Sequence, residues 1–254
     1  MRNRGVKLLA GLAGVVGAIR AVRRRPRGLS ELSGQVALVT GGSRGLGLLL
    51  ARELAARGCK VAICARDGAA LERARRDLVA RGATVHAEAC DVADRAQIER
   101  LVANVRQALG PVDVLVNNAG ILQVGPLETM ALEDFQRAMA TLFWSAVYAV
   151  HAVLPAMRAR RHGRIVNITS IGGKLSIPHL VPYGCAKFAL VGLSEGLRAE
   201  LARDGILVTT VVPGLMRTGS PANVLYKGQA DLEYSWFSLG AALPLSSMDA
   251  ARAA

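Results

Sequence analysis

Short apolar runs alternate with stretches of helical spacing along most of this chain, and no other feature restricts its fold as much. The runs are Val36–Thr40, Lys60–Ala65 and residues 83–88, 112–117, 164–169 and 206–212. Between them, apolar residues recur at helical intervals over 46–57, 69–81, 95–109, Leu132–Arg160 and 183–203. Runs without a polar face are strands covered on both sides, and strand-to-helix-to-strand links at this rhythm bring each strand back parallel to the last. The pattern predicts the α/β class: a doubly wound parallel sheet of Rossmann type, strand order 3-2-1-4-5-6.

The alternation starts only after residue 30. Residues 1–30 form a basic arm around an uncharged run at 8–19, and residues 31–254 hold the folded domain. Of the net charge of +13, Arg2, Arg4, Lys7, Arg20, Arg23, Arg24, Arg25 and Arg27 supply eight, which leaves +5 for the remainder. A basic surplus confined to an arm and lacking interleaved aromatics does not describe a nucleic-acid surface, so no nucleic acid is expected as a partner. The apolar run is shorter than the roughly 20 residues needed to span a bilayer, and its length fits an interfacial segment. Residues 1–28 are therefore read as a peripheral contact with the inner face of a membrane, the Arg-rich flank keeping the domain cytoplasmic. A solvated tail is the other reading. The cysteines (59, 64, 90 and 185) and the four histidines are scattered without metal-ligand spacing, so no metal site is expected.

Directly after the first run stand Thr40, Gly41, Gly42, Ser43, Arg44, Gly45, Leu46 and Gly47, leading into a helix. Glycines permit a tight turn and close backbone approach, and a helix N-terminus offers unpaired N–H groups to a phosphate. A plain turn would use glycines too, and this spacing differs from the general Gly-x-Gly-x-x-Gly fingerprint. The second run ends in Ala65, Arg66 and Asp67. An acidic residue there would grip a ribose 2'-hydroxyl, whereas arginine would pair with a 2'-phosphate. Arg66, approached by Arg44 from the loop, points to NADP(H), with Asp67 left either as the acidic reader or as a helix cap. Asp91 and Val92 after the third run, and Asn118, Ala119 and Gly120 after the fourth, fall at strand ends where such sheets bind ligands.

Beyond the fifth run come Ser170, then Tyr183 and Lys187. Positions four apart share a helix face, so phenol and ammonium project to one place. A free phenol, with a pKa near 10, is a poor acid-base group at neutral pH, and an adjacent cation favours its ionised form.

Taken together, TGGSRGLG, the Asp91 loop, NNAG, Ser170, YGCAK and Pro213-Gly214 with Thr218 resemble the short-chain dehydrogenase/reductase family over residues 36–218. The resemblance implies an NADP(H)-dependent oxidoreductase interconverting a carbonyl and an alcohol. Tyr183 would exchange the proton on the substrate oxygen, Lys187 would bind the nicotinamide ribose and lower the tyrosine pKa, and Ser170 would hold the substrate oxygen. Pro213, Gly214 and Thr218 would complete the cofactor site, and assembly as a homodimer or homotetramer is the expectation.

Two features depart from the family pattern. Family members carry an Asn in a stretch like VNLKG, where it supports a water in the proton relay. Here the stretch is Ala140 to Ser145, with Leu142 at the Asn position. After Val212 no further strand is legible, and residues 247–254 read as the opening of a helix cut off mid-pattern, so a seventh strand is expected to be missing. Both departures favour an alternative, a catalytically weak or inactive NADP(H)-binding interaction protein. The substrate is expected against Ser170, Tyr183, Leu175, Ile177 and Leu215, with Tyr226, Tyr234, Trp236 and Phe237 nearby, walls that suit a lipophilic carbonyl or alcohol.

Overall fold

The computed structural model describes residues 32–217, 223–242, 247–250 and 254. The basic arm and Thr218 lie outside them.

Strands β1 Val36–Thr40, β2 Lys60–Ala65, β3 Val85–Ala89, β4 Val114–Asn117, β5 Gln123–Val124, β6 Gly163–Ile168 and β7 Ile206–Val211 follow in chain order. Among the described residues, six of these build one parallel sheet ordered β3-β2-β1-β4-β6-β7. Counted over the sheet members alone, this is the expected 3-2-1-4-5-6. The register pairs Val39 with Ile63 on one side and with Val116 on the other.

Both faces of the central strands β1, β2 and β4 are dry because side chains alternate along apolar runs, while the edge strands β3 and β7 are partly open to water. Leu38, Ala62, Cys64, Leu115 and Ile165 point into one core cluster, with Ile98, Leu101 and Val105 of α3 (Arg95–Ala108) and Val150, Val153 and Met157 of α5 (Ser145–Arg160). Ala37, Val39, Val61, Ile63, Val114 and Val116 point the other way, onto Leu46 and Ala51 of α1 (Gly45–Ala56) and Leu71, Ala74 and Leu78 of α2 (Gly68–Ala80).

Residues 132–160 run as one helical stretch interrupted by a π-turn: α4 (Leu132–Met139) passes through Ala140–Trp144 into α5, and the Ser145 hydroxyl donates to the Thr141 carbonyl at 2.6 Å. A side chain bonding back into the ladder widens a helix locally, a feature that clusters at functional sites. The stretch Leu132–Arg160 is long and apolar enough to cross a membrane, yet Ala149, Val150, Val153 and Met157 pack on the sheet.

The expectation of no further strand after Val212 is corrected. Beyond α6 (Val181–Leu201) come β8 Leu215–Arg217, β9 Leu225–Tyr226, α7 Ala230–Ala242 and β10 Ser247–Asp249. Residues 247–249 form a strand rather than the start of a helix, pairing in parallel with β8, while β9 pairs with β5. Strands of two or three residues have too little periodicity to be legible and form because an open strand edge lies beside them.

Candidate active site

Lys187 defines the most constrained point of the molecule. α6 opens with Pro182 in its first turn, where no N–H is needed, and carries Tyr183 and Lys187 on one face. Lys187 is 5% exposed, and its Nζ donates to the Ile168 carbonyl at the end of β6 at 2.7 Å. Burial lowers its pKa to about 8. The same Nζ stands 5.7 Å from the centre of the Tyr183 ring.

Tyr183 departs from the expectation drawn for it. Burial raises its pKa above the ordinary phenol value, with the Ser170 hydroxyl pulling back through a hydrogen bond. Lys187 directs its charge at a carbonyl, and loss of water around the phenol outweighs its attraction. Ser170, two residues past β6, caps the short turn Ile171–Gly173 and accepts from the Gly172 N–H at 3.1 Å, which aims the hydroxyl toward the tyrosine. Gly172 lies against the ring: a Cβ there would stand 3.2 Å from Tyr183 Cε1.

These three side chains border a cavity of about 560 Å³. It lies at the carboxyl ends of the strands, where the chain order reverses between β1 and β4. The glycine loop forms its far wall through Gly41, Ser43, Arg44, Gly45, Leu46 and Gly47. Gly47 has no room for a side chain, since a Cβ would meet the Gly41 carbonyl at 2.3 Å and Asn118 Nδ2 at 2.4 Å. Asn118 donates to the Thr40 and Gly41 carbonyls, and Thr40 Oγ1 accepts from the N–H groups of Asn118 and Ala119. Thr40 therefore ties the two loops together from behind the wall, not on it.

Helices α2 and α3 have their first turns capped by Asp67 and Asp94. α1 has Arg44 at its N-cap with no side-chain cap, so its leading N–H groups remain available on the cavity wall. Asp67 is committed as a cap, accepting from Ala70 N–H at 3.0 Å, and that bond holds its carboxyl below the usual range. Arg44 and Arg66 are exposed at the same end of the cavity.

Other expected residues divide. Val92, Asn118, Ala119, Gly120, Pro213 and Gly214 line the cavity. Asp91 is set back, its carboxylate accepting from Ala93 N–H at 3.0 Å in a local turn. Of the expected substrate wall, Leu175 is 61% exposed, while Ile177 and Leu215 pack with Phe237, Leu180 and Val124 in a small cluster that also takes in Leu122 and Val224. Tyr226 and Tyr234 contact each other edge to face, and the side chain of Trp236 lies outside the described residues. Ile121, Leu122, Leu142, Met216, Val224 and Leu225 supply apolar lining to the cavity. Leu142 is 2% exposed, clustered with Ala138 and Ala186 against Tyr183. No periodic signal distinguishes wall from core in these segments; only the π-turn and the short β5–β9 pairing assign them.

A family model described as short chain dehydrogenase matches residues 35–227. The 3-oxoacyl-[acyl-carrier-protein] reductase of Synechocystis sp. is 34% identical over 197 residues, 77% of this chain and 80% of that protein. The solved structure of a single-substitution variant of actinorhodin polyketide ketoreductase with NADPH superposes with a TM-score of 0.77 at 35% identity, covering 86% of each chain. An NAD+-bound xylitol dehydrogenase superposes with a TM-score of 0.72 at 32% identity, covering 74% of this chain and 73% of that one. With the family pattern matched across the sheet and the cavity, and the fold shared at this identity, the chain belongs to the short-chain dehydrogenase family and is an oxidoreductase.

Proposed function

We propose that this chain is an NADP(H)-dependent oxidoreductase that interconverts a carbonyl and an alcohol on an apolar small molecule. The observation that carries the reading is one cavity with exposed arginines and an uncapped helix N-terminus at one end and Tyr183, Ser170 and Lys187 at the other. The residues fit a dinucleotide: free N–H groups of α1 suit a pyrophosphate, and Arg44 and Arg66 suit a 2'-phosphate beside Asp67, whose carboxylate caps α2. When bound, the nicotinamide supplies hydride transfer to or from the substrate carbon. Ser170 holds the substrate oxygen. Tyr183, a phenol whose pKa burial raises, donates its proton to that oxygen in the reducing direction. Lys187 binds ribose hydroxyls, and its positive charge stabilises the phenolate that forms as the phenol gives up its proton.

The apolar lining by Ile121, Leu122, Leu142, Met216, Val224 and Leu225 supports a lipophilic substrate. A second reading, an NADP(H)-binding protein with little turnover, is favoured by Leu142, whose apolar side chain occupies the flank of Tyr183. NADPH oxidation against a panel of aliphatic and alicyclic ketones separates the two. The parent oxidises NADPH and Tyr183→Phe retains NADPH binding with at least about a hundredfold lower rate; a parent that binds NADPH but never exceeds the mutant overturns the enzyme reading. Arg66→Ala weakens NADPH about tenfold or more and leaves NADH unchanged, the loss expected for one charge-assisted contact.

A further inference from the structure

We infer that Lys227 and Asp134 are positioning residues that fix the register of β9 and thereby set the apolar wall of the substrate end, an inference that rests on the function proposed above. Asn223, Val224 and Leu225 line the cavity. They are joined to the body by a parallel ladder of only two residues, Leu225 opposite Gln123 and Tyr226 opposite Val124. The Leu225 N–H donates to the Leu122 carbonyl at 3.0 Å and the Lys227 N–H to the Val124 carbonyl at 2.9 Å. So short a ladder does not specify its own register, and a slip by one residue would put Tyr226, which packs in the neighbouring apolar cluster, where Leu225 meets the cavity.

Immediately after the ladder, Lys227 Nζ donates to Asp134 Oδ2. Asp134 is 2% exposed and also accepts from Gln123 Nε2 at 2.7 Å and from the Ala131 N–H at 2.9 Å. The carboxylate is therefore fixed by α4 and β5 before Lys227 reaches it. Gly125 lets the two backbones close up, since a Cβ there would stand 2.8 Å from the Lys227 carbonyl. Gln123 Oε1 is buried without a hydrogen-bond partner, so the cluster is poorly matched as a stabilising device. Apolar packing would serve stability at least as well, whereas a buried carboxylate held by α4 and β5 rewards the one alignment that brings the half-buried Lys227 to it. In the observed register of β9, Lys227 reaches Asp134.

Three variants test this: Lys227→Met, Lys227→Arg, and Asp134→Asn with Lys227→Met, the last removing both charges while keeping an acceptor for the Ala131 N–H. In the double variant the melting temperature returns to that of the parent, yet amide exchange at Leu225 and Lys227 stays at least tenfold faster. With NADPH saturating, KM for 2-decanone rises about tenfold, kcat stays within twofold, the preference for 2-decanone over 2-butanone falls, and Lys227→Arg restores all three. Unchanged exchange, or a KM that recovers with the melting temperature, overturns the inference. If the parent reduces neither ketone, the function proposed above fails for these substrates, and the exchange rates alone decide whether the pair sets the register.

Discussion

Lys187 is a cation held where water cannot reach it, and its pKa of about 8 records the cost. A tenfold change in an ionisation equilibrium is worth about 1.4 kcal/mol, so the protonated lysine costs the native state on the order of 3 kcal/mol. The native pKa lies below the unfolded value of 10.5, hence the cost is fully present below about pH 8 and disappears as pH rises toward 10.5. Lys187→Met is therefore expected to abolish NADPH oxidation and to raise the unfolding free energy by about 1–3 kcal/mol at pH 7, the advantage shrinking between pH 8 and 10.5. Urea unfolding across that range checks it. At this scale the sequence was informative where chemistry is carried by residue type: Tyr183, Lys187, Ser170 and the paired arginines share one cavity. It was uninformative about Asp67 and Asp91, because a carboxylate that caps a turn and one that reads a ribose look alike until the N–H donors are placed.

The π-turn between α4 and α5 is the element that shapes the reacting end. Its extra residue carries Thr141 and Leu142 to the cavity, with Leu142 lodged against Tyr183 and 3.1 Å from where a Gly120 Cβ would stand. Leu142→Ala leaves a void that Gly120 cannot fill, and a loss of about 2–4 kcal/mol in unfolding free energy is expected from chemical denaturation. Helical spacing over 132–160 was legible, whereas the break was not, since it depends on the Ser145 hydroxyl reaching the Thr141 carbonyl, a bond that propensity does not encode. The short strands β5, β8, β9 and β10 were invisible for a related reason: two or three residues have no period to read, and they pair only because other segments present an edge.

Across the molecule, a buried polar chain joins the sheet to the helix of the site. Asn117 donates to Asn167, Asn167 donates to Ser194 of α6, and Ser194 shares a hydrogen bond with Thr210 of β7, at 2.8, 3.0 and 2.7 Å. Asn167 and Ser194 are fully buried. Asn167→Ala would leave Asn117 and Ser194 without that partner, and a loss of about 2–4 kcal/mol is expected, with turnover falling because α6 loses its fixed seat on β6. Thermal unfolding and NADPH oxidation measured on the same sample check both parts. The sequence by itself determined the strand order, the covering of both sheet faces and the family chemistry, because apolar periodicity and a few residue types at fixed spacing act locally and repeat along the chain. Only the tertiary structure decided which apolar residues wall the cavity, that burial raises the Tyr183 pKa, and that Asp134 meets Lys227. Those outcomes depend on desolvation and on contacts between segments distant in sequence, whose energies no local pattern carries.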